Sequence, residues 1–271
     1  MAFLDSSWPA GLTRYDDVLT EAEQATLVAF AEDVLRRGRA GALAGKSYLP
    51  VPDEWVSRGQ GREMAHFGVL VKCNKVLHAR VEPIPPPLAT VAARLVHLGI
   101  LGQAPDAVCL NAYETGAWLP AHVDSAAFDR PFCTLSLLSG HIAIFGDSLV
   151  SDDPLIPEGS VAAAAAARVS MPPGSVLRVS GESAGPGCKH GLPPHPARRI
   201  SLTFRKRTAE TVRAHEAIRH ESELAQQQRI EKRRAAKAAK GRVALRPPVV
   251  GATQQLEAED SVDAVEMGEG T

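Results

Sequence analysis

From residue 106 onward the sequence adopts a period of two, and this alternation constrains the fold more than any other feature. Five short runs alternate apolar and polar residues between turn signals: 106–113, 130–138, 141–145, 175–179 and 200–204. Successive side chains of a strand point to opposite faces, so each run predicts a short strand. Several short strands at such spacing favour an antiparallel sandwich or jelly roll.

Helical patterns flank this mainly β region. Thr20 begins a capping-box pattern, and apolar residues at helical spacing then predict a helix over about 21–37. A second amphipathic helix is expected over 88–98, with Gly99 as its C-cap. We expect these N-terminal helices to pack on the sheet. Residues 208–240 contain few large apolar side chains, which predicts a polar, solvated C-terminal helix.

Composition divides the chain into four parts. Residues 1–62 hold the first helix and a stretch rich in Gly, Arg and Ser, 38–62, which we expect to be a loop or mobile lid. The β-rich domain spans 63–207, and a basic helical extension spans 208–242. Residues 243–271 form an acidic tail that we expect to be disordered.

An alanine-rich segment interrupts the β-rich domain. Ser160–Arg168 contains six consecutive alanines, which predicts a loop insertion or a short helical turn without chemistry.

The charges are unevenly placed, although the net charge is only −1. Residues 229–246 contain eight basic residues and one acidic residue, whereas 251–271 contain six acidic residues and no basic ones. The basic run predicts contacts with the phosphates of a nucleic acid, a nuclear address, or simply a solvated helix end. The acidic end could compete for the same run.

The cysteine spacing, the apolar runs and the first residues of the chain bear on the cellular compartment of the protein. The four cysteines show no CxxC spacing, which favours a reducing compartment over a zinc ribbon or disulfide framework. The sequence contains no run of 18 apolar residues, so no membrane span is predicted. The first residues do not resemble a secretory signal. We expect an intracellular monomer, nuclear or cytoplasmic, with a mitochondrial location left open.

A candidate iron site begins with His122 and Asp124. In a strand, residues i and i+2 face the same side, so this pair presents an imidazole and a carboxylate together. Two histidines and one carboxylate can hold Fe(II) and leave three positions open. We expect His190 to supply the third ligand. His195 is a rival, but it lies in a proline-rich run, 193–196, that predicts a rigid exposed loop. A surface turn is the alternative for the His-x-Asp pair.

A candidate dicarboxylate site lies in 199–205. Its three apolar residues share one face, and Arg199 and Arg205 flank two small hydroxyl residues on the other. Arginine binds carboxylates in a bidentate manner, which suits a ligand such as 2-oxoglutarate. Asn111 and Tyr113 also share a face and can hydrogen-bond an acid. The alternative for 199–205 is an edge strand with a solvated face, and the alternative for the second pair is a turn-forming Asn and a half-buried Tyr.

Taken in order, these elements resemble the AlkB family of Fe(II)/2-oxoglutarate-dependent dioxygenases over about residues 64–207. The resemblance rests on Asn111-x-Tyr113-x-x-Gly116, His122-x-Asp124, Arg130-Pro131, Thr134–Ser139, Pro173–Val176, His190-Gly191 and Arg199-x5-Arg205. It implies a double-stranded β-helix, which is a jelly roll. It also implies iron bound by His122, Asp124 and His190, and 2-oxoglutarate held by Asn111, Tyr113, Arg199 and Arg205.

The chemistry implied by the resemblance uses O2 to decarboxylate 2-oxoglutarate to succinate and to hydroxylate a C–H bond. On an N-methyl group, this reaction releases formaldehyde and leaves a demethylated base. Family members that repair DNA carry an acidic residue at the position of Ala126, which argues against DNA repair. The segments 122–125 and 128–131 resemble the RNA N6-methyladenine demethylase branch most.

This sequence departs from that branch near the substrate. Met64, Val71 and Cys73 stand where the branch has basic and aromatic residues, and Asp147 and Gly191 replace its extra cysteine pair. A tRNA wobble uridine or a protein side chain therefore remains an alternative substrate. A non-enzymatic jelly-roll binding module is an alternative of another class.

Three residues are candidates for substrate contacts near the mouth of the site: Arg62, His66 and Arg130. His66 can also be an ordinary strand histidine with satisfied hydrogen bonds. Arg130 can instead be a structural partner of the Asp124 carboxylate.

Overall fold

The structure, a computed structural model, describes residues 1–149 and 166–243, with side chains described up to residue 237. Among the described residues, those up to His220 form one compact unit, and those from Glu221 onward belong to a second. The four-part division of the sequence stays a prediction. The acidic tail and most of the alanine-rich segment lie outside the described residues, and the last two residues of that segment begin a strand.

Four α-helices lie in the described part of the chain: α1 (Glu21–Arg39), α2 (Asp53–Ser57), α3 (Pro86–His97) and α4 (Ala209–Val243). A short 3-10 helix spans Gly181–Ala184. The capping box at Thr20 forms as predicted, since its hydroxyl accepts from the Glu23 N–H at 3.3 Å and the Glu23 carboxylate accepts from the Thr20 N–H at 2.9 Å. No helix among these residues is both long and apolar enough to span a membrane.

Fourteen strands lie in the same described ranges. They are β1 (Ala2–Phe3), β2 (Leu12–Tyr15), β3 (Tyr48–Leu49), β4 (Arg62–Phe67), β5 (Leu70–Lys72), β6 (Lys75–Leu77), β7 (Ala107–Tyr113), β8 (Leu119–His122), β9 (Phe132–Leu137), β10 (His141–Gly146), β11 (Ala167–Met171), β12 (Val176–Val179), β13 (Lys189–Leu192) and β14 (Arg199–Arg205).

Two antiparallel sheets form the jelly roll that the strand spacing predicted. The larger sheet has the order β1-β2-β12-β9-β14-β7-β4-β3, and the smaller has the order β11-β10-β13-β8. Buried apolar residues of both sheets pack together, including Phe132 and Leu177 of the larger sheet and Phe145 and Met171 of the smaller. The strands β5 and β6 form a separate hairpin.

The helices α1 and α3 cover the outer face of the larger sheet, which confirms the predicted packing. Leu35 of α1 and Leu95 of α3 are fully buried in one core with Ile200, Leu202 and Phe204, the apolar face of β14. The opposite face of β14 is thereby directed toward the space between the two sheets.

The run 68–73, whose apolar residues predict a strand, forms the short strand β5 (Leu70–Lys72) after a turn. The chain runs as β4 up to Phe67 and then turns at Gly68, whose φ is +81°. A Cβ at Gly68 would lie 2.1 Å from the Asp106 carbonyl oxygen, so only glycine fits this turn. The turn separates β4 from the hairpin. The predicted loop over 38–62 likewise contains two short elements, β3 and α2.

Candidate metal and co-substrate site

The three predicted metal ligands converge at the end of β8. His122 is the last residue of β8, and it lies opposite His190 of β13 in the antiparallel register. Asp124 follows two residues later. One donor atom from each of the three side chains lies within 4.8 Å of the other two. Two imidazoles and one carboxylate at this spacing fit a divalent ion such as Fe(II).

The protonation states of His122 and Asp124 suit metal binding. Burial lowers the pKa of His122 to about 4, so the ring is neutral at physiological pH. Its Nδ1 lies 2.9 Å from the Pro120 carbonyl oxygen, and this hydrogen bond leaves Nε2 with its lone pair free. Burial alone would raise the pKa of Asp124, but Arg205 and His190 outweigh it and hold that pKa below its usual range. Asp124 is therefore an ionised donor.

Backbone contacts hold the loop that carries Asp124. Arg130 donates to the carbonyl oxygens of Asp124 at 3.0 Å and Phe128 at 2.7 Å. Asn74, at the tip of the β5–β6 hairpin, donates to the Val123 carbonyl oxygen at 2.8 Å. Arg130 does not line the cavity described below, and its partner is the Asp124 backbone rather than the carboxylate. Arg130 is thus a structural partner of Asp124, as one of the two interpretations expected, although through the backbone; its role as a substrate contact stays a prediction.

Arg199 and Arg205 lie on the cavity face of β14 as expected, but their contacts differ. Arg205 donates from Nη2 to the Asp124 carboxylate. Arg199 is fully buried, and its Nη2 donates to the Ser136 hydroxyl at 2.8 Å. Its Nε and Nη1 have no hydrogen-bond partner among the described residues. Burial lowers the pKa of Arg199 to about 10, so the group still carries its charge.

The unpaired atoms of Arg199 indicate a bound anion. A buried cation without acceptors is costly, and buried charges in proteins are normally paired. A carboxylate would accept from both free nitrogen atoms in a bidentate, charge-assisted contact. The residues present at this end of the cavity therefore fit the distal carboxylate of 2-oxoglutarate.

Asn111 and Tyr113 lie beside the arginines on the neighbouring strand β7. The antiparallel register places Tyr113 opposite Arg199 and Asn111 opposite Ser201. All four side chains line the same cavity. The structure thus brings together every side chain that the sequence assigned to the dicarboxylate site.

A cavity of about 590 Å³ contains these groups. It is lined by all seven predicted metal and co-substrate residues and by the substrate candidates Arg62 and His66. Apolar side chains missed by sequence reasoning complete the walls, among them Leu49 and Trp55 of the region predicted to be a lid. No local pattern identified these two, because they come from short elements within a polar stretch.

His195 is buried, so the expectation that its side chain is exposed was wrong, although the neighbouring Pro194 and Pro196 are exposed. Only 2% of its surface is exposed. Its ring stacks on Tyr113 at 4.4 Å and on His141 at 4.0 Å between ring centroids, and its Nδ1 lies 2.6 Å from the Ala117 carbonyl oxygen. It does not belong to the metal-ligand cluster, which contains His190 instead. The stack joins residues that are far apart in the sequence, so the proline-rich residues around His195 could not predict it.

Comparisons with known proteins agree with this geometry. No family model matches the chain. RNA demethylase ALKBH9B of Arabidopsis thaliana is 31% identical over 207 residues, covering 72% of this chain and 39% of that protein. RNA demethylase ALKBH10B of the same plant is 27% identical over 216 residues, covering 76% and 36% respectively. The chain therefore spans well under half the length of these curated relatives.

A solved structure shares the fold. The structure of OsALKBH1 superposes with a TM-score of 0.52 and 16% sequence identity, covering 76% of this chain and all of that chain. At this identity the likeness concerns the fold alone.

Proposed function

We propose that this chain, which belongs to the AlkB family of Fe(II)/2-oxoglutarate-dependent dioxygenases, oxidatively demethylates N-methylated bases in RNA. The observation that carries the proposal is the convergence of His122, Asp124 and His190 on a cavity whose other end holds Arg199, whose Nε and Nη1 have no partner among the described residues. Two of the relatives are named as RNA demethylases, which supports RNA as the substrate.

We assign the metal and co-substrate as follows. His122, Asp124 and His190 hold Fe(II), Arg199 and Tyr113 hold the distal carboxylate of 2-oxoglutarate, and Asn111 and Arg205 lie toward its metal end. When bound, the iron with 2-oxoglutarate and O2 supplies the oxidation of a C–H bond, with succinate and CO2 as co-products. The unpaired Arg199 favours this enzyme over a non-enzymatic jelly-roll module, which has no need of a buried cation.

The protein's own residues prepare the site in three ways. The Pro120 carbonyl fixes the tautomer and ring orientation of His122. Arg205 keeps Asp124 ionised and orients its carboxylate. Apolar side chains such as Phe145 and Leu177 limit the water around the ligands, which strengthens the charge-assisted contact at Arg199.

The charges of the cavity favour an uncharged base. Asp124 is the one acidic residue among the described residues that line the cavity, and it already pairs with Arg205. Arg62 and Lys72 line the cavity as well. A cationic methylated base would find no free carboxylate there. We therefore favour a neutral N-methyl base over a cationic one, while a wobble uridine or a protein side chain remains the alternative substrate.

Helix α4 supports contacts with the RNA backbone. Arg229, Arg233 and Lys237 are exposed and follow one another at intervals of four residues, so they share one face of the helix. Like charges at this spacing repel one another unless a counter-charge is present. RNA phosphates would provide it, and binding should then weaken steeply with salt. A nuclear or cytoplasmic location follows as part of the proposal.

The experiment that tests the metal assignment compares His122→Ala with His97→Ala. His97 is an exposed residue at the end of α3, outside the cavity. With Fe(II), 2-oxoglutarate and a methylated RNA oligonucleotide, we expect His122→Ala to abolish succinate and formaldehyde formation, while His97→Ala behaves as wild type. Circular dichroism checks that both variants fold. Retained turnover in His122→Ala would reject the assignment.

The substrate class is tested with matched methylated RNA oligonucleotides, DNA oligonucleotides and peptides, each followed by mass spectrometry. We expect the mass of the RNA alone to fall by that of one CH₂ unit, because a methyl group is replaced by hydrogen. A gain of oxygen on a peptide would identify the protein-side-chain alternative instead.

A further inference from the structure

His66 of β4 is a buried histidine whose two ring nitrogen atoms find no hydrogen-bond partner within residues 1–149 and 166–237. Only 1% of its surface is exposed, and the ring lines the cavity. Neither Nδ1 nor Nε2 has a partner among the described residues. Buried polar side chains normally find partners, so a histidine with two unpaired ring nitrogens in a cavity indicates groups supplied by a ligand.

The register of β4 places His66 at the metal end of the cavity. Along β4, Arg62 lies opposite Tyr113, Met64 opposite Asn111 and His66 opposite Cys109. Tyr113 is also the partner of Arg199, so His66 lies at the end of this row that is farther from the distal carboxylate site.

A second observation agrees with this position. Arg205, which bonds the carboxylate of Asp124, is close enough for its charge to act on His66. The co-substrate would occupy the space between Arg199 and the metal ligands. The wall formed by β4 beside the metal is then left for the substrate.

The charge state of His66 defines what it can bind. Burial, with Arg205 and Arg62 adding to it, lowers the pKa of His66 to about 4. The neutral ring offers one N–H donor and one acceptor lone pair. A phosphate would pair with the neighbouring arginines instead, and a cation would be repelled by them. The complementary partner is an uncharged polar ring edge, such as a ring nitrogen or an exocyclic amine.

We propose that His66 is a specificity-determining residue that hydrogen-bonds the polar edge of the substrate base beside the metal. This inference rests on the proposed function and extends it to a named contact. Met64 and Val71, which also line the cavity, supply apolar surface for the faces of the base.

The test compares His66→Leu, which removes both hydrogen-bonding atoms, with His66→Asn, which keeps a donor and an acceptor. The probe is a short single-stranded RNA with one N6-methyladenine. Its Kd is measured without O2, so that turnover does not interfere. Steady-state kinetics with O2 then give kcat/KM for the RNA and KM for 2-oxoglutarate.

We expect His66→Leu to raise the Kd and lower kcat/KM for the methylated RNA by about tenfold, the size of one hydrogen bond. KM for 2-oxoglutarate should stay within about twofold, and His66→Asn should recover most of the loss. The melting temperature of His66→Leu should equal or exceed that of wild type, because an unsatisfied buried polar group is removed.

Each other outcome overturns the inference. An unchanged Kd in His66→Leu, or a loss that His66→Asn does not recover, rejects the hydrogen bond to the base. A raised KM for 2-oxoglutarate moves His66 to the co-substrate site. If the wild type consumes 2-oxoglutarate but neither binds nor demethylates the RNA, the proposed substrate fails, and this contact fails with it.

Discussion

Arg199 and Arg205 lie on the same face of one strand, six residues apart, and yet their guanidinium groups have different partners. Arg205 is an internal counter-ion, because it bonds the buried carboxylate of Asp124. Arg199 donates to the Ser136 hydroxyl, and its other two nitrogen atoms have no partner in the part of the chain that the structure describes. One alternating strand thus provides both a permanent ion pair and a cation held ready for a ligand.

The largest expected effect is on folding stability. Arg205→Met leaves the buried Asp124 carboxylate without its main partner, so we expect the free energy of unfolding to fall by about 3–5 kcal/mol. Arg199→Met removes a buried cation that has no carboxylate partner, so stability should stay unchanged or rise. Urea unfolding of the metal-free proteins measures both. Equal losses in the two variants would remove the distinction between the arginines.

The next effect is on co-substrate binding. Arg199→Met should weaken 2-oxoglutarate binding by about 1.5–3 kcal/mol, roughly 10- to 150-fold, because a charge-assisted contact is lost. The affinity for the metal should not change. Titration of the iron-loaded protein with 2-oxoglutarate in the absence of O2 measures the first quantity. An unchanged affinity would place the carboxylate site elsewhere.

Acid should weaken the Arg199 end of the cavity through His141 and His195, in addition to the effect of the buried histidines His66 and His122 at the metal end. Burial lowers the pKa of His141 to about 4 and that of His195 to about 3, and Arg199 adds to both shifts. Between pH 6.5 and about 4, the unfolded chain binds protons that the folded chain does not. Stability should therefore fall as the pH falls through this window, by at most about 1.4 kcal/mol per pH unit for each histidine.

The control for this pH effect is His141→Phe, which removes one of the two titrating rings. Urea unfolding of the metal-free protein from pH 7.5 to 4.5 should show a smaller slope for this variant than for wild type. Asp124, whose pKa lies below its usual range, keeps its ion pair with Arg205 throughout this window. Identical slopes for variant and wild type would contradict the assignment of neutral, buried histidines to the Arg199 end.

The smallest expected effect concerns Ser136. Ser136→Ala removes the hydroxyl that accepts from Arg199 Nη2, and a bound carboxylate can partly replace it. We expect 2-oxoglutarate affinity to fall by about 0.5–1.5 kcal/mol, the range of an ordinary hydrogen bond. A loss as large as that of Arg199→Met would mean that Ser136 holds the arginine in position.

Much of the larger sheet could be predicted from the sequence because its strands alternate cleanly. β14 shows this most clearly, since its apolar face is buried against the helices and its other face lines the cavity. The helices α1 and α3 were also predictable, because a capping box and apolar spacing are local signals.

The smaller sheet was mostly missed, although it carries two of the three candidate ligands. β8 and β13 have four residues each, and they contain Pro120 and Gly191, which locally disfavour strands. These strands exist because of pairing with distant partners. His122 and His190 could be identified as ligands from their motif, but the bounds of the strands that carry them could not be predicted. The burial of His195 was missed for the same reason.

The position of β8 at the rim of the smaller sheet has a consequence for how iron would be retained. Within the described chain β8 pairs with β13, and the register between them shifts after His190. An ion bound by His122 and His190 would link this edge strand to β13, because each strand supplies one ligand. Fraying of four residues would then release the ion while the rest of the domain stays folded, so metal retention is governed by a local opening equilibrium.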